Sequence, residues 1–242
     1  MISIGVLTPH AAVGPEEELP EMAPSIAIRL VRVPVKVAGA GTAEAPPTSP
    51  VGLRALTAAH VLDEAVELGF TDPIDAIAYA STSSAYAIGF DDEVAVLARL
   101  SRRTDVPVVG TCASAVRALR LLDAGRVALV HPPWFDEELN ELGASYFRSQ
   151  GFEVVFSASA ELSLDPGQIE PAAVVEWGAR HIPDDAEAVF IGGNGFRAAA
   201  AIDELEFRTG RPVLESNQLL LWEILAQTSS TLSIRGFGRL FA

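Results

Sequence analysis

Two passages, AIAYASTSSAYAIG (residues 76–89) and AVFIGGNGFRAAAAI (residues 188–202), share one design and decide the fold. Each is an apolar run that ends in a loop of small and polar residues, and a helical pattern follows each. Each then leads to an Arg-Thr-x-x-Pro-Val segment, RTDVPVVGTCASAV (residues 103–116) in the first case and RTGRPVLESNQLLL (residues 208–221) in the second. The repeat indicates two similar α/β halves.

Short apolar runs alternate with longer segments of helical periodicity along the chain, which is typical of parallel α/β units. We therefore predict an α/β fold with two pseudo-symmetric Rossmann-like lobes, each built on a parallel sheet, and a cleft between the lobes. The predicted N-terminal lobe comprises residues 1–108 plus 216–242, and the predicted C-terminal lobe comprises residues 109–215. The tail from Leu232 is expected to close the first sheet.

Two local patterns refine this prediction. Residues 26–37 alternate apolar and basic side chains, and Pro34 in this run predicts a strand at a sheet edge. Residues 196–209 have the pattern of a helix that follows the second loop.

The two loops of the repeat are the predicted site. The loops at the carboxyl ends of parallel strands face the cleft, so Ser81, Thr82 and Ser83 should lie opposite Gly193, Asn194 and Gly195. Hydroxyl and backbone N–H groups bind anions without a formal positive charge. Ser and Thr are also the preferred N-caps of helices, so capping remains the alternative role for the first loop. The glycines of the second loop let a ligand approach the backbone closely, and neither a dinucleotide fingerprint nor a P-loop is present.

Two histidines follow predicted strands on the cleft side. His10 comes directly after the first strand, and His131 ends the strand that opens the second half. Histidine titrates near neutral pH, so either is a candidate general acid or base, with a structural role as the alternative. The four histidines share no ligand spacing, which predicts no metal site, and we expect no cofactor.

Two further residues allow two interpretations each. Cys112 is placed at a helix start, where the helix dipole lowers a thiol pKa, or it is a small buried side chain. Arg197 pairs either with a substrate carboxylate or with an acidic residue of the core.

The composition of the chain limits the kinds of binding partner that we expect. The chain has 242 residues, a formal net charge of −15 and a single cysteine. Nucleic acid and anionic membranes would be repelled, so neither is expected as a partner. A single cysteine excludes an internal disulfide, and the N-terminal run is predicted to be a strand rather than a signal peptide. No apolar run reaches the length of a membrane-spanning helix, and a cytoplasmic location is expected.

The chain resembles the maleate isomerase and arylmalonate decarboxylase family, within the aspartate/glutamate racemase superfamily. The resemblance runs over most of the chain and rests on these segments: Thr8-Pro9 with Pro15-Glu16, AYASTSSAYAIG at 78–89, Glu138-Leu139-Asn140, FIGGNGFRAAAAIDELE at 190–206 and RPVLESNQLLLW at 211–222.

The resemblance implies cofactor-free chemistry at a carbon beside a carboxylate. In isomerases of this family two opposed thiols act, one from each half, and arylmalonate decarboxylase keeps only the second. Here the first thiol position falls on Ser81 and the second on Gly193. A serine hydroxyl is far less acidic than a thiol and needs an activating base, so thiol addition and two-thiol racemisation are not expected.

The part of the site that binds oxyanions can survive this loss. By resemblance, Thr82 and Ser83 match the family's hydroxyl donors, Asn194 and Gly195 supply the facing donors, and Pro9 and Gly193 also line the ligand site. The segments HPPWFDEELN (residues 131–140) and GGNGFRA (residues 192–198) resemble the ectoine-utilisation branch, whose ligands are small zwitterions with one carboxylate. In that case Trp134 or Phe135 covers the cationic ring by a cation–π contact, with core packing as the alternative for both aromatic residues.

Three functions stay open from the sequence. The first is a cofactor-independent isomerase, epimerase or lyase of a small carboxylate, with His10 as the proton carrier and His131 or Ser81 as the second candidate. The second is a non-catalytic protein that binds a small carboxylate. The third is a malonate-type decarboxylase. Members of the family are commonly dimers, so the resemblance predicts a homodimer.

Overall fold

The computed structural model describes residues 2–9, 13–33 and 49–242. In these residues the strands are β1 Ser3–Thr8, β2 Ala27–Arg32, β3 Ala76–Tyr79, β4 Val108–Gly110, β5 Arg126–His131, β6 Glu153–Ser159, β7 Ala188–Ile191 and β8 Val213–Glu215. The α-helices are α1 Pro15–Met22, α2 Pro50–Ala55, α3 Ala59–Gly69, α4 Thr82–Ile88, α5 Phe90–Thr104, α6 Thr111–Leu121, α7 Glu137–Ser149, α8 Pro171–His181, α9 Ile202–Thr209 and α10 Ser216–Gln227.

The strands form two four-stranded parallel sheets with matching strand orders. The first sheet has the order β2-β1-β3-β4 and the second has the order β6-β5-β7-β8. The predicted fold class, two similar parallel α/β lobes, is confirmed. β2 lies at the edge of the first sheet, as its alternating pattern and Pro34 indicated, although residues 34–48 lie outside the described part of the chain.

Adjacent strands end level with one another. In the first sheet Leu7 pairs with Tyr79, which pairs with Gly110, and in the second Ile191 pairs with Glu215. The central strands β3 and β7 are wholly buried and apolar, as is typical of parallel sheets covered on both faces. The loops that follow these strands therefore emerge together at one edge of each sheet.

The segment after β7 differs from the prediction of a helix over residues 196–209. α9 begins only at Ile202, after a single 3₁₀ turn at Ala199–Ala201. The backbone is left-handed at Gly193 (φ +97°) and at Arg197 (φ +57°), so the turn continues two residues beyond Gly195, the last glycine of the loop.

The prediction that the tail closes the first sheet is wrong. In the described residues neither sheet contains a strand after β8. The tail instead bonds to helices that follow β7 and β8: the Gln218 side chain donates to the Phe237 carbonyl (2.7 Å), and the Gly238 N–H donates to Asp203 (2.6 Å). The lobe boundaries proposed from the sequence remain a prediction. None of the helices in the described part of the chain is long and apolar enough to cross a membrane.

Candidate functional site

The carboxyl ends of four strands, two from each sheet, meet in one buried polar cluster. Its central side chains are Thr82, after β3, and Asn194, after β7, which lie 2% exposed each. Asn194 Oδ1 accepts hydrogen bonds from the Thr82 N–H and the Thr82 hydroxyl, both at 3.2 Å. The two loops predicted to face each other across a cleft are thus in direct contact.

Asn194 also bonds to the ends of the two remaining strands of the cluster. Its Oδ1 accepts from the Thr111 hydroxyl (3.2 Å), and its Nδ2 donates to Thr111 Oγ1 (3.1 Å) and to Asn217 Oδ1 (2.9 Å). An amide that meets this many partners is held in one orientation, so the Asn194 side chain is part of the scaffold.

Thr82 makes the reciprocal contacts with the second half. Its hydroxyl accepts a hydrogen bond from the Gly193 N–H (3.0 Å) and lies 3.3 Å from the Ser216 hydroxyl, which donates to the Ile191 carbonyl. The Thr82 and Asn194 side chains that the sequence offered as ligand donors therefore bond to protein in this structure.

Ser81 takes the capping role that the sequence left open. Its hydroxyl accepts from the Ser84 N–H (3.4 Å) at the N-terminus of α4, and its side chain is buried. Ser83 differs, because it is only half-buried and its hydroxyl has no hydrogen-bond partner among the described residues. Of Ser81, Thr82 and Ser83, Ser83 is the one whose hydroxyl has no partner among the described residues; the hydroxyl of the next residue, Ser84, is buried and also has none there.

Three backbone donors in these loops also lack an acceptor. Among the described residues, no hydrogen bond is formed by the N–H groups of Ser83, Asn194 and Gly195, although Asn194 and Gly195 are buried. Buried N–H groups without a partner are rare in native proteins, so these donors are available to an oxygen-bearing ligand.

His131, the last residue of β5, lies close to Thr82 of the cluster and is fully buried. Its Nε2 is 3.3 Å from the Ser157 hydroxyl, and its ring stacks on Phe135 with centroids 5.7 Å apart. Burial lowers the His131 pKa to about 3, so the ring stays neutral near pH 7. His10 and residues 11 and 12 lie outside the described residues.

A buried carboxyl pair extends the cluster toward α1. Glu18 Oε2 accepts from Asn217 Nδ2 (2.6 Å), and its Oε1 accepts from the Ala199 N–H (2.7 Å). Burial raises the Glu18 pKa to about 7 despite these bonds. Burial first, and then the Glu18 charge, raise the pKa of Glu215 well above its usual range. The pair therefore retains at least one proton at neutral pH.

The sequence arguments missed Thr111, Ser216 and Asn217, although the repeat contained the signal. Alignment of Arg103-Thr104 with Arg208-Thr209 places Thr111 opposite Ser216, one residue after β4 and β8. Glu18 had no such signal, because its partners are 181 and 199 residues away along the chain.

Gly193 is held in a conformation that only glycine adopts readily. Its φ is +97°, and an added Cβ would lie 2.8 Å from Pro132 Cγ. The loop is equally tight on its other side, because a Cβ on Gly14 would lie 2.0 Å from the Asn194 carbonyl oxygen. The second loop is therefore clamped between α1 and the residues after β5.

The other residues singled out in the sequence, Pro9, Cys112, Trp134 and Arg197, are buried or contact other protein groups. Trp134 is half-buried and packs edge-on against Phe196, with ring centroids 6.1 Å apart, and Pro9 is buried at the end of β1. Cys112 is fully buried, its thiol contacts the Thr82 carbonyl at 3.8 Å, and burial raises its pKa. Arg197 forms a structural ion pair with Glu17 of α1, but Glu17 is exposed, so the predicted core acid is wrong as its partner.

No group of three or more His, Cys, Asp or Glu residues in the described part of the chain is arranged to hold a metal ion. A groove of about 450 Å³ lies apart from the cluster, between α5, β4, α6 and α10. The cluster itself presents neutral hydroxyl and N–H donors, which suit the carboxylate or carbonyl oxygen of a small ligand.

The two matching parallel sheets and the polar cluster between them define a two-lobed α/β protein, and this fold is shared with solved maleate isomerase and arylmalonate decarboxylase structures. A family model described as arylmalonate decarboxylase matches residues 51–241, about four fifths of the chain. The chain belongs to the arylmalonate decarboxylase family.

Solved structures with the same fold include two kinds of enzyme. A maleate cis-trans isomerase mutant from Nocardia farcinica, with a covalently bound succinylcysteine intermediate, has a TM-score of 0.82 at 22% identity and covers 99% of this chain and 98% of its own. The maleate isomerase Iso from Pseudomonas putida S16 has a TM-score of 0.79 at 20% identity (99% and 98% covered). Unliganded arylmalonate decarboxylase has a TM-score of 0.78 at 18% identity (100% and 99% covered). A comparison with curated proteins found no match.

Proposed function

We propose that this protein is a cofactor-independent isomerase, epimerase or lyase that acts on a small carboxylate at the carbon beside the carboxyl group. Family membership supports the reaction class. One observation carries the proposal for this chain: the N–H groups of Ser83, Asn194 and Gly195, from loops of both halves, have no acceptor among the described residues.

In this proposal the carboxylate is bound by the free donors, and the bonded side chains hold those donors in place. Ser83 contributes its hydroxyl and N–H, and the turn at Asn194 and Gly195 contributes backbone N–H groups. The bonds between Thr82 and Asn194 fix the two loops relative to each other. Donors that are fixed before the reaction stabilise developing negative charge without reorganisation, which is how neutral groups assist the formation of an enolate-like anion.

We propose ectoine or hydroxyectoine as the ligand, on the sequence resemblance to the ectoine-utilisation branch. Trp134 is the proposed partner of the ligand's cationic ring; it follows β5 by three residues, and its half-buried ring packs edge-on against Phe196. A cationic ring stacked on an indole would be worth about 1–2 kcal/mol. A homodimer and a cytoplasmic location are likewise proposals from the sequence.

The proton carrier in this proposal is His10. Ser81 and His131, the other candidates, are buried; Ser81 caps α4, and His131 has a pKa of about 3. The His10→Ala variant should lose turnover, and the His131→Ala variant should be tested beside it. Full turnover in both variants would exclude these role assignments.

One observation favours a second candidate, a carboxylate-binding protein without catalysis. Burial moves the pKa values of Cys112 and His131 away from neutrality, and Glu18, whose pKa is raised to about 7, is buried and bonded to Asn217 and the Ala199 N–H, so the described part of the cluster exposes no proton carrier to a ligand. Such a protein binds the ligand through the same hydrogen-bond donors and releases it chemically unchanged.

Proton NMR in D₂O separates the candidates. Ectoine, hydroxyectoine, maleate and a malonate-type acid are each incubated with the protein. The first proposal predicts loss of the signal beside the carboxylate or a new species, whereas a decarboxylase releases CO₂ from the malonate. Line broadening without exchange identifies a binding protein, and no effect with any compound contradicts the proposed substrate class. Ser83→Ala should weaken binding, and Ser145→Ala, an exposed serine on α7, is the matched control.

A further inference from the structure

Among the buried side-chain atoms that have no hydrogen-bond partner in the described part of the chain, two lie on neighbouring rings outside the donor set described above. They are the Tyr86 hydroxyl oxygen on α4 and the Nδ1 atom of His131 at the end of β5. The two rings are in edge-to-face contact with centroids 5.5 Å apart. An unpaired buried polar atom costs about 1–3 kcal/mol, so two of them in contacting rings require an explanation.

Both atoms lie beside Gly192. A Cβ built on Gly192 would lie 3.1 Å from the Tyr86 hydroxyl oxygen, 3.2 Å from His131 Nδ1 and 3.3 Å from the Cγ2 of Thr82. The two polar atoms are therefore no farther apart than the first two distances laid end to end. A single oxygen that forms a hydrogen bond of about 2.5–3.2 Å to each atom can bridge a separation up to that limit.

The hydrogen bonds on the other side of the imidazole fix its tautomer. The Ser157 hydroxyl donates its proton to the Asn140 carbonyl (3.2 Å), so it accepts from His131 Nε2–H (3.3 Å). Nδ1 of the neutral ring is then a lone-pair acceptor. Tyr86 supplies a phenolic donor, because burial raises its pKa well above the usual value.

A donor and an acceptor that converge on one point recognise a group that accepts one hydrogen bond and donates another. We propose that Tyr86 and His131 bind a single neutral oxygen beside Gly192, either a water molecule or the hydroxyl group of a ligand in the adjacent cluster. The ligand form rests on the proposed function, whereas the water form does not. A side chain at Gly192, one residue before the Gly193–Gly195 turn, would lie against both atoms and compete with that oxygen for the space beside them.

A crystal structure of the ligand-free protein at a resolution that shows ordered waters tests the site directly. The expected result is one oxygen within hydrogen-bond distance of the Tyr86 hydroxyl and His131 Nδ1. Absence of that oxygen, with either atom bonded to another protein group, overturns the proposal. Crystals soaked with hydroxyectoine and with ectoine then distinguish the sources, because a ligand hydroxyl replaces the water only in the first case.

Solution measurements give an independent readout. In ¹⁵N-histidine NMR the Nδ1 resonance of His131 should be that of an unprotonated, hydrogen-bonded nitrogen, and it should move in Tyr86→Phe. Tyr79→Phe, which removes another buried unpartnered hydroxyl, is the matched control and should leave the resonance unchanged. A protonated Nδ1, or equal effects of the two variants, contradicts the tautomer and the pairing.

Ligand affinity then tests the hydroxyl form. If a ligand hydroxyl occupies the site, hydroxyectoine binds about tenfold or more tightly than ectoine, and Tyr86→Phe removes the difference. Equal affinities assign the site to water. If neither compound binds, the substrate class under "Proposed function" fails, and the crystallographic water still decides the present proposal.

Discussion

Replacement of Asn194 by alanine should be among the most destabilising single changes at the junction of the two halves. The Asn194 side chain is bonded to three residues, Thr82, Thr111 and Asn217, at 2.9–3.2 Å. In Asn194→Ala three buried groups, the Thr82 N–H, the Thr111 hydroxyl and Asn217 Oδ1, lose the Asn194 side chain as a partner. Each buried group without a partner costs about 1–3 kcal/mol, so the free energy of unfolding should fall by at least about 3 kcal/mol.

The loss is large against the total stability of a typical protein, which is about 5–15 kcal/mol. For a chain of this length the expected fall in Tm is roughly 5–20 °C. Urea unfolding followed by circular dichroism measures the free energy, and calorimetry measures the Tm. A water molecule that enters the space of the lost amide would bring the value toward the lower end.

Asn140→Ala is the matched control for this prediction. Asn140 is half-buried on α7, and its side chain bonds only to the Ser159 hydroxyl (3.0 Å), which also donates to the Phe135 carbonyl. Its removal should cost about 1 kcal/mol or less. If Asn194→Ala loses no more stability than Asn140→Ala, the polar cluster does not join the two halves in the way described here.

Three further predictions follow from burial and backbone geometry. Burial raises the pKa values of Glu18 and Glu93 to about 7, from 4.5 in the unfolded chain, so their contribution to stability is complete below pH 4.5 and is lost as pH rises through 7. Urea unfolding should show a loss of about 1–2 kcal/mol between pH 6.5 and 8, smaller in Glu93→Gln, and a flat profile contradicts the assigned burial. Gly193→Ala should destabilise by about 1–3 kcal/mol because φ is +97° and Pro132 lies 2.8 Å from the new Cβ; an unchanged Tm would refute the clamp. Cys112 should react with iodoacetamide only in denaturant, and rapid alkylation of the native protein would show that the thiol is accessible.

The fold could be predicted from the sequence because its signals are local and repeated. Buried parallel strands are continuous apolar runs, and the Arg-Thr-x-x-Pro-Val segments mark the same step in both halves. The end of the second loop could not be predicted, because the left-handed backbone at Arg197 has no glycine to signal it. The tail was misplaced because its bonds to Asp203 and Gln218 depend on tertiary contacts and follow no periodic pattern.

The site could be predicted only down to its loops. Topology alone brings the residues after β3 and β7 together, so Thr82 and Asn194 were correctly expected to be neighbours. Which of their polar groups face a ligand depends on where each side chain turns, and periodicity carries no such information. The burial of the His131 ring could not be predicted for the same reason, because it depends on the direction of the Phe135 side chain, which stacks on the ring.

The exchange of partners between the two halves bears on how a ligand is bound. Thr82 reaches Gly193 and Ser216 in the second half, while Asn194 reaches Thr82 and Thr111 after the first sheet. The loops could not move apart at this edge without breaking these bonds together, in a buried setting where each unmade bond is costly. We therefore do not expect the two loops to move relative to each other when the N–H groups of Ser83, Asn194 and Gly195 bind a ligand. In the proposed function the ligand meets N–H groups that are already in position and have no acceptor among the described residues. Leaving these buried N–H groups unbonded costs free energy, and this cost is recovered when the oxygen atoms of the ligand accept their hydrogen bonds.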